Sequence, residues 1–263
     1  MKDHNTTIIA LLLLLLHISY AQKDTLHDFH VYSQLSFTKI SYKDKWNLIG
    51  EATNNKLGAL SYVLASKTTS PVSTIVINSR DTSNFKNLIT DLKIKHTNYD
   101  YCKDCKVHSG INKHFNSIKD KIMSLLKTAL STRKDANVIV IGHSLGGAVA
   151  NLLSNKIANE MPELKNRLYL YTFGAPRLGN KQFANYTNQL LNVKHIFRVV
   201  YKKDPIPLLP AYKWGYCHVG DGPYHFRDTK HFSKKRTPDD KKSGLSTLFH
   251  IKDHVQYKKI QDA

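Results

Sequence analysis

Gly142-His143-Ser144-Leu145-Gly146 is the stretch best equipped for chemistry. The β-branched run Val138-Ile139-Val140-Ile141 leads into it, and Gly147-Ala148-Val149-Ala150 follows. The pattern reads as a strand, a tight turn carrying a serine, then a helix: a nucleophile elbow. Gly142 and Gly146 lack a Cβ, so strand and helix can approach closely on either side of Ser144. The turn lifts the hydroxyl clear of the sheet, and the helix aims its first N–H groups at whatever sits on the serine. A glycine-flanked serine alone is common. The strand before it and the helix after it carry the reading.

A serine hydroxyl is a weak nucleophile at neutral pH. It needs a histidine to take its proton and a carboxylate to orient that histidine. On a sheet-based scaffold the acid and then the histidine follow the serine, each on a loop after a strand. Asp204 satisfies this, placed after the strand-like Phe197–Tyr201, with Pro205 and Pro207 to stiffen its loop. The chain holds 14 histidines. His218, His225, His231, His250 and His254 all follow Asp204, and chain order favours none of them. Two N–H donors must meet the developing oxyanion. The backbone of Leu145 is one; Thr82, in the earlier Ser79–Thr82 loop, is the other candidate.

The elements that must position these groups alternate. Spaced apolar residues predict a helix over 24–42. Residues 58–66 and 72–78, joined at the Thr68–Pro71 turn, predict an antiparallel hairpin. Phe85, Leu88, Ile89 and Leu92 fall at i, i+3, i+4 and i+7 and predict a short amphipathic helix over 83–95. A longer helix is expected over 111–130, and the elbow helix runs to about Asn159. Leu168–Phe173 and His195–Tyr201 read as strands, with a helix over 180–191 between them. From Asp204 onward prolines break the order, and 220–244 reads as a basic loop. This predicts an α/β fold, one domain over 22–263, with a mostly parallel sheet covered by helices on both faces.

Composition bounds the setting. The 263 residues carry a formal net charge of +19 and are 41% hydrophobic. Lys2, the apolar run Ile8–Leu16 and the small residues Ser19 and Ala21 predict a signal peptide over 1–21, hence a secreted chain. Of the three cysteines, Cys102 and Cys105 favour a local disulfide; pairing of Cys217 with either one stays open. No second Cys/His pair stands at zinc-ligand spacing, so no metal is expected. The positive field favours an anionic membrane or polymer surface, through a tail rich in lysine from Lys230 to Lys259. No nucleic-acid-binding signature accompanies it.

Taken together, several motifs resemble the class 3, fungal-type lipases of the α/β-hydrolase fold. They are Ile141–Ala148 around the serine, Thr172-Phe-Gly-Ala-Pro-Arg-Leu-Gly-Asn180, Asp204-Pro-Ile-Pro-Leu-Leu-Pro210 and Lys106–Gly110. The resemblance covers roughly 57–257. It implies a Ser144–His254–Asp204 triad, because Asp253-His254-Val-Gln-Tyr257 matches the family's C-terminal Asp-His segment. Tyr216-Cys-His218-Val-Gly220 matches a motif whose histidine is structural, which leaves His218 as the fallback. The resemblance further implies a helical lid bearing Phe85, Leu88, Ile89 and Leu92, and an oxyanion hole from Thr82 and Leu145. It implies hydrolysis of glycerolipid esters at a lipid interface by a monomer, without a cofactor. Feruloyl ester or phospholipid hydrolysis, or non-catalytic binding on a lipase scaffold, are the rival expectations.

Two departures stand out. Asp81 occupies the family's usual glycine between Arg80 and Thr82. It brings a negative charge beside the expected oxyanion hole, which opposes catalysis unless Arg80 or a lysine neutralises it. Leu88 replaces the tryptophan found in some family lids.

Overall fold

The computed structural model describes residues 27–36, 45–67, 73–81, 95–229, 231–234 and 244–260; for Asp81 and 244–249 only the backbone is described. The expected signal peptide, the Thr68–Pro71 turn, Thr82, the lid residues Phe85, Leu88, Ile89 and Leu92, and 235–243 of the basic tail lie outside these residues.

In chain order the elements are α1 (27–36), β1 (Trp46–Asn54), β2 (Ala59–Ser66), β3 (Thr74–Asp81), β4 (His96–Asn98), β5 (Lys106–His108), α2 (Ser109–Thr132), β6 (Asn137–His143), α3 (Leu145–Glu160), β7 (Leu168–Phe173), α4 (Lys181–Leu191), β8 (Ile196–Tyr201), β9 (Pro223–Phe226) and β10 (Phe232–Lys234). Short 3-10 turns follow over Gly244–Val255 and Tyr257–Lys259. Eight strands form one sheet in the order β1-β2-β3-β6-β7-β8-β9-β10. The run β3-β6-β7-β8-β9 is parallel, and the pairings β1-β2, β2-β3 and β9-β10 are antiparallel. The expected α/β architecture and the hairpin before the parallel strands are both present.

Side chains along a strand alternate between faces, and here the two faces differ in kind. Ile75, Ile77, Val138, Val140, Leu168 and Leu170 join an aliphatic core with Ile111, Phe115, Ile118, Ile122 and Leu126 of α2 and much of α3. Their spacing along α2 is what makes that segment a helix with one buried stripe. Val76, Ile139, Ile141, Tyr171, Phe173, Val199 and Tyr201 face the other way, against Phe29, Tyr32 and Leu35 of α1 and Tyr257 and Ile260 near the C-terminus. Phe29 alone packs edge-on to Tyr171, Phe197, Tyr224, Phe226 and Phe232. Polar ties hold α1 in place: Tyr171 Oη donates to Asp28 Oδ2 (3.0 Å), and His30 Nδ1 donates to Ile260 O (2.7 Å).

Three features depart from the sequence expectation. β1 is a strand in a segment given no structure; being half exposed, it shows no clean alternation. β4 and β5 form a small separate hairpin, and the Cys102–Cys105 disulfide lies between them with Cα atoms 5.5 Å apart. β9 and β10 extend the sheet within the supposed loop at 220–244; Tyr224, Phe226 and Phe232 stack onto the aromatic face there.

Candidate active site

The elbow is built from contacts that only glycine permits. A Cβ on Gly142 would lie 2.3 Å from Gly146 O, and one on Gly146 would lie 2.2 Å from Ser79 O. Ser144 sits between them at φ 57°, ψ −130°, and its N–H donates to Phe173 O at 2.9 Å. A left-handed φ is rare for a residue with a Cβ and is held only where neighbours over-determine it. Ser144 is 6% exposed, and its Oγ makes no hydrogen bond among the described residues. Leu145 opens α3 directly after it, buried, at the start of the helix where N–H groups point outward.

Asp204 follows β8 through a turn in which Lys202 takes φ 48° and Asp204 N–H donates to Tyr201 O. Its carboxylate is 3% exposed and well supplied with donors. Oδ1 accepts from Ile206 N–H at 2.9 Å. Oδ2 accepts from His254 Nδ1 at 2.8 Å and from Tyr257 Oη at 2.5 Å. Because a carboxylate only accepts, Nδ1 of His254 carries the proton, and Nε2 is the basic nitrogen. Tyr257 is fully buried; burial and then the Asp204 charge push its phenol well above the usual range, so it stays a neutral donor.

The His254 ring lies beside that of His143, centroids 4.4 Å apart, and His143 Nε2 donates to the His254 carbonyl at 2.7 Å. Gly174, at φ +60°, closes the floor. A Cβ there would stand 2.6 Å from Asp204 Oδ2 and 3.0 Å from the His254 ring. The chain thus pairs Asp204, from a strand-end turn, with His254, from a C-terminal 3-10 turn, and packs His143, the residue before Ser144, against the His254 ring. An imidazole oriented by a buried carboxylate, working with a serine on a strained turn, is the arrangement that can pass a proton from hydroxyl to leaving group.

The fallback histidine is placed elsewhere. His218 Nε2 donates to Pro207 O at 2.6 Å, beneath the loop that carries Asp204. Burial, followed by Arg198 and Arg177, pushes its pKa well below the ordinary value. With Arg177, which donates to Pro210 O at 2.9 Å, it braces that loop. The backbone of Asp81 ends β3 in antiparallel register with Ala59.

The model of the family described as lipase (class 3) matches residues 76–214, just over half of the chain. The chain belongs to the class 3 lipase family. A relative from Fusarium solani, the secreted mono- and diacylglycerol lipase 1, is 33% identical over 181 residues, which is 67% of this chain and 50% of its own length. A lipase from Rhizopus niveus is 32% identical over 148 residues, 56% of this chain and 37% of its own. The chain therefore spans half or less of the length of these relatives. Among solved structures, lipase II from Rhizopus niveus superposes with a TM-score of 0.79, covering 91% of this chain and 96% of that one at 25% identity.

The class 3 lipase match includes Ser144 and Asp204 and ends before His254, which the fold brings in. Sequence reasoning passed over His143, Tyr257 and Gly174. All three lie inside quoted motifs. What marks Tyr257 is its place three residues beyond His254, at the start of the next 3-10 turn.

Proposed function

We propose that this chain is a secreted serine esterase of the lipase type, acting on glycerolipid esters. The observation that carries it is the buried Asp204–His254 pair at 2.8 Å, packed on His143, the neighbour of a serine held at φ 57°. Ser144 Oγ attacks the ester carbonyl carbon while His254 Nε2 takes its proton, forming a tetrahedral oxyanion. Leu145 N–H at the start of α3 and Thr82 receive that charge. The oxyanion collapses and the ester C–O bond breaks. His254 returns its proton to the departing alcohol, leaving an acyl-serine. Water, activated by the same histidine, repeats the cycle and releases the fatty acid. Asp204 keeps Nδ1 protonated and steadies the imidazolium. No metal or organic cofactor enters this chemistry.

The names of the Fusarium and Rhizopus relatives support a glycerolipid substrate. So does the apolar spacing of Phe85, Leu88, Ile89 and Leu92, which suits a lid that opens at an interface. The apolar run before Ala21 and the Cys102–Cys105 disulfide support export. The charge of +19 supports docking on an anionic lipid surface.

The test is hydrolysis of a soluble short-chain nitrophenyl ester and of emulsified tributyrin by wild type and Ser144→Ala. The proposal expects turnover of both by wild type and a loss of at least about 10³-fold in the variant. Equal rates, or an inert wild type, would overturn it. Preference for a feruloyl ester or a phospholipid over tributyrin would move the substrate class and leave the triad standing.

A further inference from the structure

We infer that His143, the residue before the nucleophile, is a positioning residue that ties the serine elbow to the backbone of the catalytic histidine. The inference rests on the Ser144–His254–Asp204 reading and adds a fourth side chain to it.

His254 arrives on a 3-10 turn rather than on a strand or long helix, and the turn is interrupted by a non-helical residue at His250. A short turn has few backbone hydrogen bonds of its own to fix it. Among the described residues, three hydrogen bonds tie it to the body of the protein at the site. His254 Nδ1 donates to Asp204 Oδ2, Asp253 Oδ2 accepts from Lys203 N–H at 3.2 Å, and His254 O accepts from His143 Nε2 at 2.7 Å. The first two bind the turn to the loop after β8. Of these three, the His143 contact is the one that reaches β6, the strand that leads into Ser144. The spacing of base and nucleophile is therefore set through residue 143.

The chemistry of histidine suits the task. A carbonyl can only accept, so Nε2 of His143 carries a proton. Burial, then the neighbouring His254 and Arg80, hold the pKa of His143 well below the ordinary value. It thus remains a neutral donor and adds no positive charge beside His254. Its ring also packs on His254 at 4.4 Å and on Tyr257 at 5.5 Å, so the imidazole both donates and fills space.

Two variants separate these roles. His143→Phe keeps a ring and removes the donor; His143→Gln loses the ring and keeps an N–H at similar reach. With a soluble nitrophenyl butyrate, the inference expects His143→Phe to lower kcat about a hundredfold with KM nearly unchanged. His143→Gln should stay within about tenfold of wild type. Inactivation by a phosphonate ester, in which Ser144 Oγ bonds to phosphorus as the same histidine takes its proton and the ester's leaving group departs, should slow in the same order. Wild-type kcat in a folded His143→Phe, or equal losses in both variants, would overturn the inference. If His143→Phe does not fold, His143→Gln decides: a loss near a hundredfold overturns it, and near-native kcat upholds it. His254→Ala is the control for the underlying reading. If that variant keeps its kcat, the triad itself is wrong, whatever the His143 variants do.

Discussion

The two faces of the sheet are built on different principles. Beneath α2 the core is mostly aliphatic, with Ile111, Phe115, Ile118, Ile122 and Leu126 burying a regular stripe in one cluster with Val63, Ile75 and Val138, and its buried polar contacts between α3 and α4, such as Thr187 Oγ1 to Asn155 Oδ1 at 3.0 Å, are local to those helices. Beneath α1 the core is aromatic, and residues far apart in sequence hold it by hydrogen bonds, such as His30 to Ile260 and Tyr201 N–H to Tyr257 Oη at 3.0 Å. The candidate site straddles this divide. Ser144 is delivered by β6 and α3, whereas His254 and Tyr257 come from the aromatic side. Burial of apolar area tolerates small shifts, but a proton-transfer geometry does not. The two faces should therefore fail differently when cut.

The largest effect is expected at Gly174, on the aromatic side of the site. Gly174→Ala would drive a methyl against Asp204 Oδ2 and the His254 ring. Ester turnover should fall about 10³-fold, while the φ of +60° costs only about 1 kcal/mol of stability for alanine. Steady-state kinetics beside a urea melt checks this; a drop in stability with intact kcat would show that the site yields rather than breaks.

The aliphatic face predicts the reverse. Ile122 is fully buried within it, in the cluster on the opposite side of the sheet from Tyr257. Ile122→Ala should lose about 3 kcal/mol, with kcat per folded molecule unchanged. Denaturant unfolding combined with active-site titration separates the two quantities.

That face is also the legible one. The 3.6-residue period of α2, the β-branched run of β6 and the glycines around Ser144 are local patterns, each visible within about a dozen residues. Asp204 was found because a strand and prolines bracket it. The aromatic face is less readable, since its logic is long-range. β9 and β10 are three or four residues long, within a basic stretch, and exist because Tyr224, Phe226 and Phe232 meet Phe29 nearly two hundred residues earlier. Among five candidate histidines, position alone could not select His254; the motif did, and the 2.8 Å contact to Asp204 supplies the physical reason. Tyr257 reads as one more core aromatic until its hydroxyl is seen on the carboxylate.

A polar cap also matters to the aliphatic face. His108 caps α2, its Nδ1 accepting from Gly110 N–H (3.2 Å) and Ile111 N–H (3.3 Å). Burial and then His96 lower its pKa to about 4. The unfolded chain takes up this proton first, near pH 6.5, so stability is full above that value. It falls as pH drops from about 6.5 toward 4 and levels off below, with a loss of about 3 kcal/mol. Protonation also destroys the cap, because Nδ1 can no longer accept. His108→Asn keeps an acceptor and does not titrate. Its melting temperature should lose this slope between pH 6.5 and 4; an unchanged slope would place the acid sensitivity elsewhere.

The smallest effect, and the one that tests the divide most finely, belongs to Tyr257. Its hydroxyl gives one hydrogen bond to Asp204 Oδ2 and receives one from Tyr201 N–H, so it joins the carboxylate to the end of β8. Tyr257→Phe keeps the ring against Phe173 and Tyr201 and removes only this bridge. The carboxylate still has Ile206 N–H and His254 Nδ1, so it remains in place with less restraint. We expect kcat to fall about tenfold, about 1.4 kcal/mol in the barrier, with KM unchanged. Amide hydrogen exchange should quicken over 253–260 and stay constant through α2. If protection is lost equally in α2, the two faces form one cooperative unit, and the different failures predicted for Gly174 and Ile122 must merge.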